Sequence, residues 1–259
     1  MSDHLEAILA RKRREIERRA RHPIAVDDRS DRGAAAIAAL RRAGAPLPRV
    51  IAEIKRRSPS AGAIRAREVG DVAAIARGYE AAGAAAISVL ADGPGFGGSV
   101  LDVRRAARAV SRPILFKEFV LDPLQVDVAR AAGASLVLLL VRALHDGALR
   151  TMIRAVRDGG MEPVVEAADA RELARALETE ATIVGVNARD LRRFTVDPAG
   201  AAAALQEVPN DRVAVYMSGV GDREQLASVA RGRADAVLIG TELMRAADPG
   251  ARLQDLIAP

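Results

Sequence analysis

The sequence has no cysteine, which removes disulfides, a thiol nucleophile and cysteine-ligated metals from consideration. Aromatic residues make up only 2% of it, too few to give the stacking surface that single-stranded nucleic acid requires. No run of about 18 uninterrupted apolar residues occurs, so nothing reads as membrane-spanning. The start, MSDHLEAILARKRRE, carries charges throughout where a signal peptide would have an apolar core. These absences predict a cytoplasmic protein with neither nucleic acid nor membrane as partner.

Lysine is also scarce. Of 39 basic residues only three are lysines: Lys12, Lys55 and Lys117. The chain uses arginine wherever a positive charge will do, so Lys55 and Lys117, both at strand ends, point to work for which arginine is unfit. Giving up a proton or offering a compact ammonium is such work. The histidines are His4, His22 and His145. Only the last follows a strand end, so neither a histidine triad nor a metal cluster is expected.

Half of the 259 residues are hydrophobic, largely alanine and aliphatic side chains, enough for a sizeable core. The net charge of +5 is spread along the chain and interleaved with acids. Its densest run, Arg11 to Arg21, includes Glu15 and Glu17 and reads as a solvated helix face.

A helix is expected over Asp3 to Arg21, with Asp3 and Glu6 as a capping box and Leu5, Ile8, Leu9 and Ile16 as a partial apolar stripe. A second, Ala-rich helix spans Ala34 to Arg42 and ends at Gly44 and Pro46. The chain then becomes rhythmic. Apolar strand candidates fall at Val50–Lys55, Ala85–Leu90, Pro113–Lys117, Leu136–Val141, Glu162–Glu166, Thr182–Asn187, Arg212–Met217 and Ala236–Gly240. Helical stretches such as Val72–Ala82, Leu124–Ala132, Ala170–Leu177 and Arg223–Ala230 separate them. The helix-to-strand joints resemble one another: AAGAAAISVL at 81–90, AAGASLVLLL at 131–140, RGRADAVLIG at 231–240. Glycine supplies a left-handed helix end and the apolar run that follows is a buried strand. An open doubly wound sheet and a closed barrel both fit alternating elements. Eight units with no domain break favour a single α/β domain over residues 1–259, a (β/α)8 TIM barrel over 49–259 with a helical extension over 1–48.

In such barrels functional groups sit at the carboxyl ends of the strands. Those ends read Glu53 and Lys55, Ser88, Lys117, Glu166, Asn187, Ser218-Gly219 and Gly240-Thr241. Side chains two apart on a strand share a face, so Glu53 and Lys55 point the same way. A structural ion pair at one strand end would explain those two alone, whereas a shared cavity explains all the polar interruptions together. The seventh and eighth mouths present small residues whose N–H groups can approach a ligand, each ahead of a helix, which suits a phosphate. Gly93 to Gly98 fits G-x-G-x-x-G after a strand, but Pro94 removes a donor, so a nicotinamide site is not expected. Ser218 has no base and no nucleophile-elbow pattern, so its hydroxyl is a ligand contact.

Several stretches resemble the indole-3-glycerol-phosphate synthase family over nearly the whole chain. They are IAEIKRRSPSAG at 51–62, ISVLADGPGFGGS at 87–99, LFKEFVLDPLQVDVARAAGA at 115–134, VVEA at 164–167, VGVNARDL at 184–191, and MSGV with IGTELM near the end. The resemblance implies cofactor-independent closure of an indole ring. Its substrate would be 1-(2-carboxyphenylamino)-1-deoxyribulose 5-phosphate, a small phosphorylated anthranilate-sugar, which loses carbon dioxide and water.

Lys117 would then protonate the ketone, with Glu53, Lys55 and Glu166 sharing the acid and base roles of dehydration. Asn187 and Arg189 would hold polar groups of the substrate. Lys55, Ser58, Ser218, Gly219, Gly240 and Thr241 would receive the phosphate, and Phe119 and Leu138, with Leu140, would wall the aryl ring. No metal is implied, and the expected state is a monomer or weak homo-oligomer.

The sequence departs from the family in four places. Met217 stands where glutamate is usual, Ala167-Ala168 where Val-His is usual, Glu118 for aspartate, and Thr241 for serine. Met217 admits two further readings: a paralogue with an altered substrate, or a weakened barrel acting as a binding partner.

Overall fold

A computed structural model of the chain describes residues 3–21, 31–59, 61–66, 71–189 and 195–258. Eight strands form a closed barrel: β1 (Arg49–Ile54), β2 (Ala86–Leu90), β3 (Ile114–Lys117), β4 (Leu136–Leu140), β5 (Glu162–Ala167), β6 (Ile183–Asn187), β7 (Val213–Met217) and β8 (Ala236–Ile239). All neighbours are parallel, and β1 closes the ring against β8, with Arg49 opposite Ala236. The eight expected strands are all present, with ends shifted by one residue or so. A two-stranded hairpin, Arg57–Ser58 with Gly62–Ala63, follows β1.

Helices alternate with the strands because the loops encode their starts. α1 (Asp3–Ala20) and α2 (Gly33–Leu40) precede the barrel; α3 (Val72–Ala81), α4 (Val100–Ala109), α5 (Pro123–Ala131), α6 (Asp146–Asp158), α7 (Ala170–Leu177), α8 (Pro198–Gln206), α9 (Arg223–Ala230) and α10 (Pro249–Ile257) surround it. Asp122, Asp197 and Asp248 each accept a backbone N–H of the first turn and are followed by proline, whose missing donor costs nothing there. Asp169 and Asp222 cap α7 and α9 in the same way. The capping box expected at Asp3 involves a side chain outside those described.

Strand alternation divides the core in two. Val50, Ala52 and Ile54 face outward to the helices, in one cluster with Ile75, Tyr79 and Ile239. Ile51 faces inward with Leu115, Leu136, Leu138, Val164, Ile183, Val213 and Leu238, filling the barrel. At the amino end of the strands α2 places Ala36 and Leu40, both fully buried, against this inner layer. Among the described residues no helix is long and apolar enough to cross a membrane.

Candidate active site

On β1 the side chain after Ile51 on the inward face is Glu53, which the alternation carries to the carboxyl end of the barrel. Lys55 follows just beyond the strand, and its Nζ donates to Glu53 Oε1 at 2.6 Å. Ser88 lies opposite Glu53 in the β1–β2 ladder and donates its hydroxyl to Oε2 at 3.4 Å. A second pair stands across the opening, where Lys117 at the end of β3 donates to Glu166 Oε2 at 3.0 Å. Asn187, at the end of β6, donates its amide to Glu166 Oε1 at 2.9 Å, and its own Oδ1 accepts the Arg189 N–H at 3.0 Å.

The two pairs act on one another. Burial alone would push the Glu53 carboxyl up, but Lys55, Lys117 and the Ser88 hydroxyl together hold it below the usual carboxylate range. Burial likewise disfavours the Lys117 ammonium, and Glu166 with Glu53 outweighs that, raising its pKa. Lys117 is thus held protonated, the state a proton donor needs before reaction.

Both pairs line one cavity of about 330 Å³ at the barrel mouth. Ser58, Phe119, Leu138, Asn187, Arg189, Ser218, Gly219, Gly240 and Thr241 line it as well, so these sequence-predicted residues share a single opening, while Ser88 is fully buried behind Glu53 and not part of the lining. The glycine at 240 has a steric reason, since a Cβ there would lie 2.6 Å from Glu53 Oε1. Ser218 and Gly219 take successive left-handed conformations, φ 72° and 84°, which turn the backbone after β7 sharply. Met217 is fully buried, faces the inner layer and lines the cavity floor. Among the described residues no group of three or more acidic, histidine or cysteine side chains could hold a metal ion.

One expectation is corrected. The Arg11–Arg21 stretch is not simply a solvated face. Lys12 is only 3% exposed, and its Nζ lies 2.9 Å from Glu15, Asp92 and Glu118 carboxylate oxygens. Leu5 and Ile8 on the same helix line the cavity, so α1 forms part of the site wall. Phe96 and Glu118 also reach the cavity. The G-x-G-x-x-G run forms a short helical turn, Gly93–Phe96, capped by Asp92, and carries Phe96 to the mouth. A lone lysine in an arginine-rich helix, three residues beyond the Leu5-Ile8-Leu9 stripe, was the signal available for this contact.

Fold and site together define a (β/α)8 barrel with paired lysines and glutamates at its mouth and a rim of small residues beside them. The sequence model of the indole-3-glycerol phosphate synthase family matches residues 5–256. An indole-3-glycerol phosphate synthase of Acidithiobacillus ferrooxidans is 40% identical over 262 residues, covering 99% of this chain and 99% of its own. One from Leifsonia xyli is 43% identical over 239 residues, covering 88% and 91%. The chain belongs to the indole-3-glycerol phosphate synthase family. Among solved structures, the tryptophan synthase alpha-subunit of Pyrococcus furiosus superimposes with TM-score 0.61 at 15% identity, covering 82% of this chain and 99% of that one, a likeness of fold alone.

Proposed function

We propose that this chain closes the indole ring of 1-(2-carboxyphenylamino)-1-deoxyribulose 5-phosphate, releasing carbon dioxide and water without a cofactor. The observation that carries the reading is the meeting of the Lys55–Glu53 and Lys117–Glu166 pairs in one cavity of a chain from this family. The ring carbon bearing the carboxylate attacks the ketone carbon while Lys117 gives its proton to the ketone oxygen, leaving a hydroxyl. The carbon–carboxylate bond then breaks, carbon dioxide departs and its electron pair restores the aromatic ring. Dehydration follows: Lys55 protonates the departing hydroxyl, and Glu53 takes the proton from the neighbouring carbon of the new ring. Glu166 accepts from both Lys117 and Asn187, so its part is to hold Lys117 charged and aimed.

Binding divides the mouth. The guanidinium of Arg189 suits the substrate carboxylate. Lys55, Ser58 and the rim made by Ser218, Gly219, Gly240 and Thr241 receive the phosphate, and Phe119 and Leu138 wall the aryl ring. Closing the ring needs both reacting carbons held in contact, which is what opposite anchors for carboxylate and phosphate achieve. A monomer or weak homo-oligomer in the cytoplasm fits this reading.

The experiment is direct. Purified protein is mixed with the carboxyphenylamino-deoxyribulose phosphate, and indole fluorescence is followed together with carbon dioxide release. Stoichiometric release of both products is expected. Binding with neither product sinks the proposal in favour of a substrate altered at the Met217 side of the site.

A further inference from the structure

Lys12 has a setting unlike that of any charged group on a solvated helix. Its ammonium is buried and lies 2.9 Å from each of three carboxylates: Glu15 on α1, Asp92 after β2 and Glu118 after β3. Assembling such a cluster out of water is costly unless every group is held by further bonds. Here they are held. Asp92 takes a second cation, Arg11, at 2.6 Å, and its other oxygen accepts the Gly95 N–H at 2.7 Å, capping the turn that carries Phe96. Glu118 accepts the Phe119 N–H at 2.8 Å through its second oxygen. The rings of Phe96 and Phe119 stand 6.1 Å apart at 42°, and both face the cavity. Four and seven residues before Lys12 on the same helix, Ile8 and Leu5 face it too.

One ammonium therefore ties together three separate segments, each of which contributes an apolar side chain to the same wall. We propose that Lys12 is a positioning residue for the ring closure, fixing through Asp92 and Glu118 the aromatic wall against which the aryl group of the substrate lies. This rests on the function proposed above. Three carboxylates around a point suit a compact ammonium and not a planar guanidinium, which accounts for a lysine in a helix whose other cations are all arginine. Burial opposes the charge, and Glu118, Glu15 and Asp92 more than offset it, so Lys12 stays protonated.

The test uses the full chain with Lys12→Met, which keeps the stem and removes the charge. Its KM for the carboxyphenylamino-deoxyribulose phosphate rises about tenfold while kcat falls less than about threefold, the pattern of lost binding common to ground and transition states. Anthranilate, titrated by its own fluorescence, loses affinity by a similar factor. Inorganic phosphate, which samples the opposite rim, binds as before. Equal weakening of both probes, as from general loosening, or an unchanged KM overturns the proposal.

Should Lys12→Met fail to fold, Glu118→Gln is read in the same way, since it keeps an acceptor for Phe119 and removes one charge from the cluster. A wild-type protein that binds both probes and makes no indole product refutes the proposed reaction instead. The split between the probes still decides the part played by Lys12.

Discussion

At the amino end of the barrel, α2 lies across the strands and seals the interior with Ala36 and Leu40, both with no exposed surface. At the carboxyl end, among the described residues, no helix is inserted in this way. The inner layer stops at Leu138, Leu140 and Met217, and above them stand two lysine–glutamate pairs in a cavity open to solvent. The amino end gains stability from burying apolar surface. The carboxyl end holds partly buried charges that would be better solvated, an arrangement that contributes little to folding and makes proton transfer possible. Stability and chemistry are therefore kept at opposite ends of one set of strands.

Four substitutions strain this division. Lys117→Ala has the largest expected effect: kcat falls about a thousandfold or more, as for loss of a general acid. The melting curve changes little by comparison, and a rate within tenfold of wild type would mean that the proton comes from elsewhere. Leu40→Ala is the converse. It lowers unfolding free energy by about 3 kcal/mol through lost burial and a cavity, with kcat/KM unchanged, as denaturant titration and steady-state kinetics would show together.

Glu118 belongs to the mouth but reports on stability. Burial raises its carboxyl to about 7 against an ordinary 4.5, although Lys12 and the Phe119 N–H pull it down while Asp92 pushes it up. Arg11 and Glu15 complete the charges of its cluster. Between those two pH values the folded chain holds a proton that the unfolded chain has released, so stability falls as pH rises through the window and is level above it. The full difference is roughly 3 kcal/mol. Urea titrations at pH 4.5 and 8 should show wild type losing roughly 2 to 3 kcal/mol more than Glu118→Gln; parallel losses would mean that Glu118 is ionised throughout. The smallest effect belongs to Met217→Glu. An added carboxylate on the cavity floor is expected to raise kcat/KM about fivefold by assisting proton removal, and an unchanged rate would show that Glu53 and Glu166 suffice.

Much of this was readable from the residue order. A parallel strand buried on both faces is a continuous apolar run, which is why the eight strands fell within a residue or so of their places. A polar residue ending such a run marks the mouth, and that rule picked out Glu53, Lys117, Glu166 and Asn187 without coordinates. The rule could not see α1. Its Leu5-Ile8-Leu9 stripe says that the helix packs against something, and a stripe carries no address. Nor could the rule pair Asp92 and Glu118 with their cation, which lies 80 and 106 positions earlier in the chain. Gly240 could be read as a ligand-contacting glycine, whereas the backbone there gives way to the Glu53 carboxylate.

The order of residues by itself settled the repeating units, their number, and which side chains end on the inward face, since alternation along a strand and capping at a helix start are local rules. Tertiary structure decided which of those ends share a space and at what distance: that Lys55 meets Glu53, that Lys117 meets Glu166, and that an N-terminal helix completes the wall. The reason is that closing the ring of strands fixes the register of every neighbour at once. Contacts between distant residues exist only after that closure.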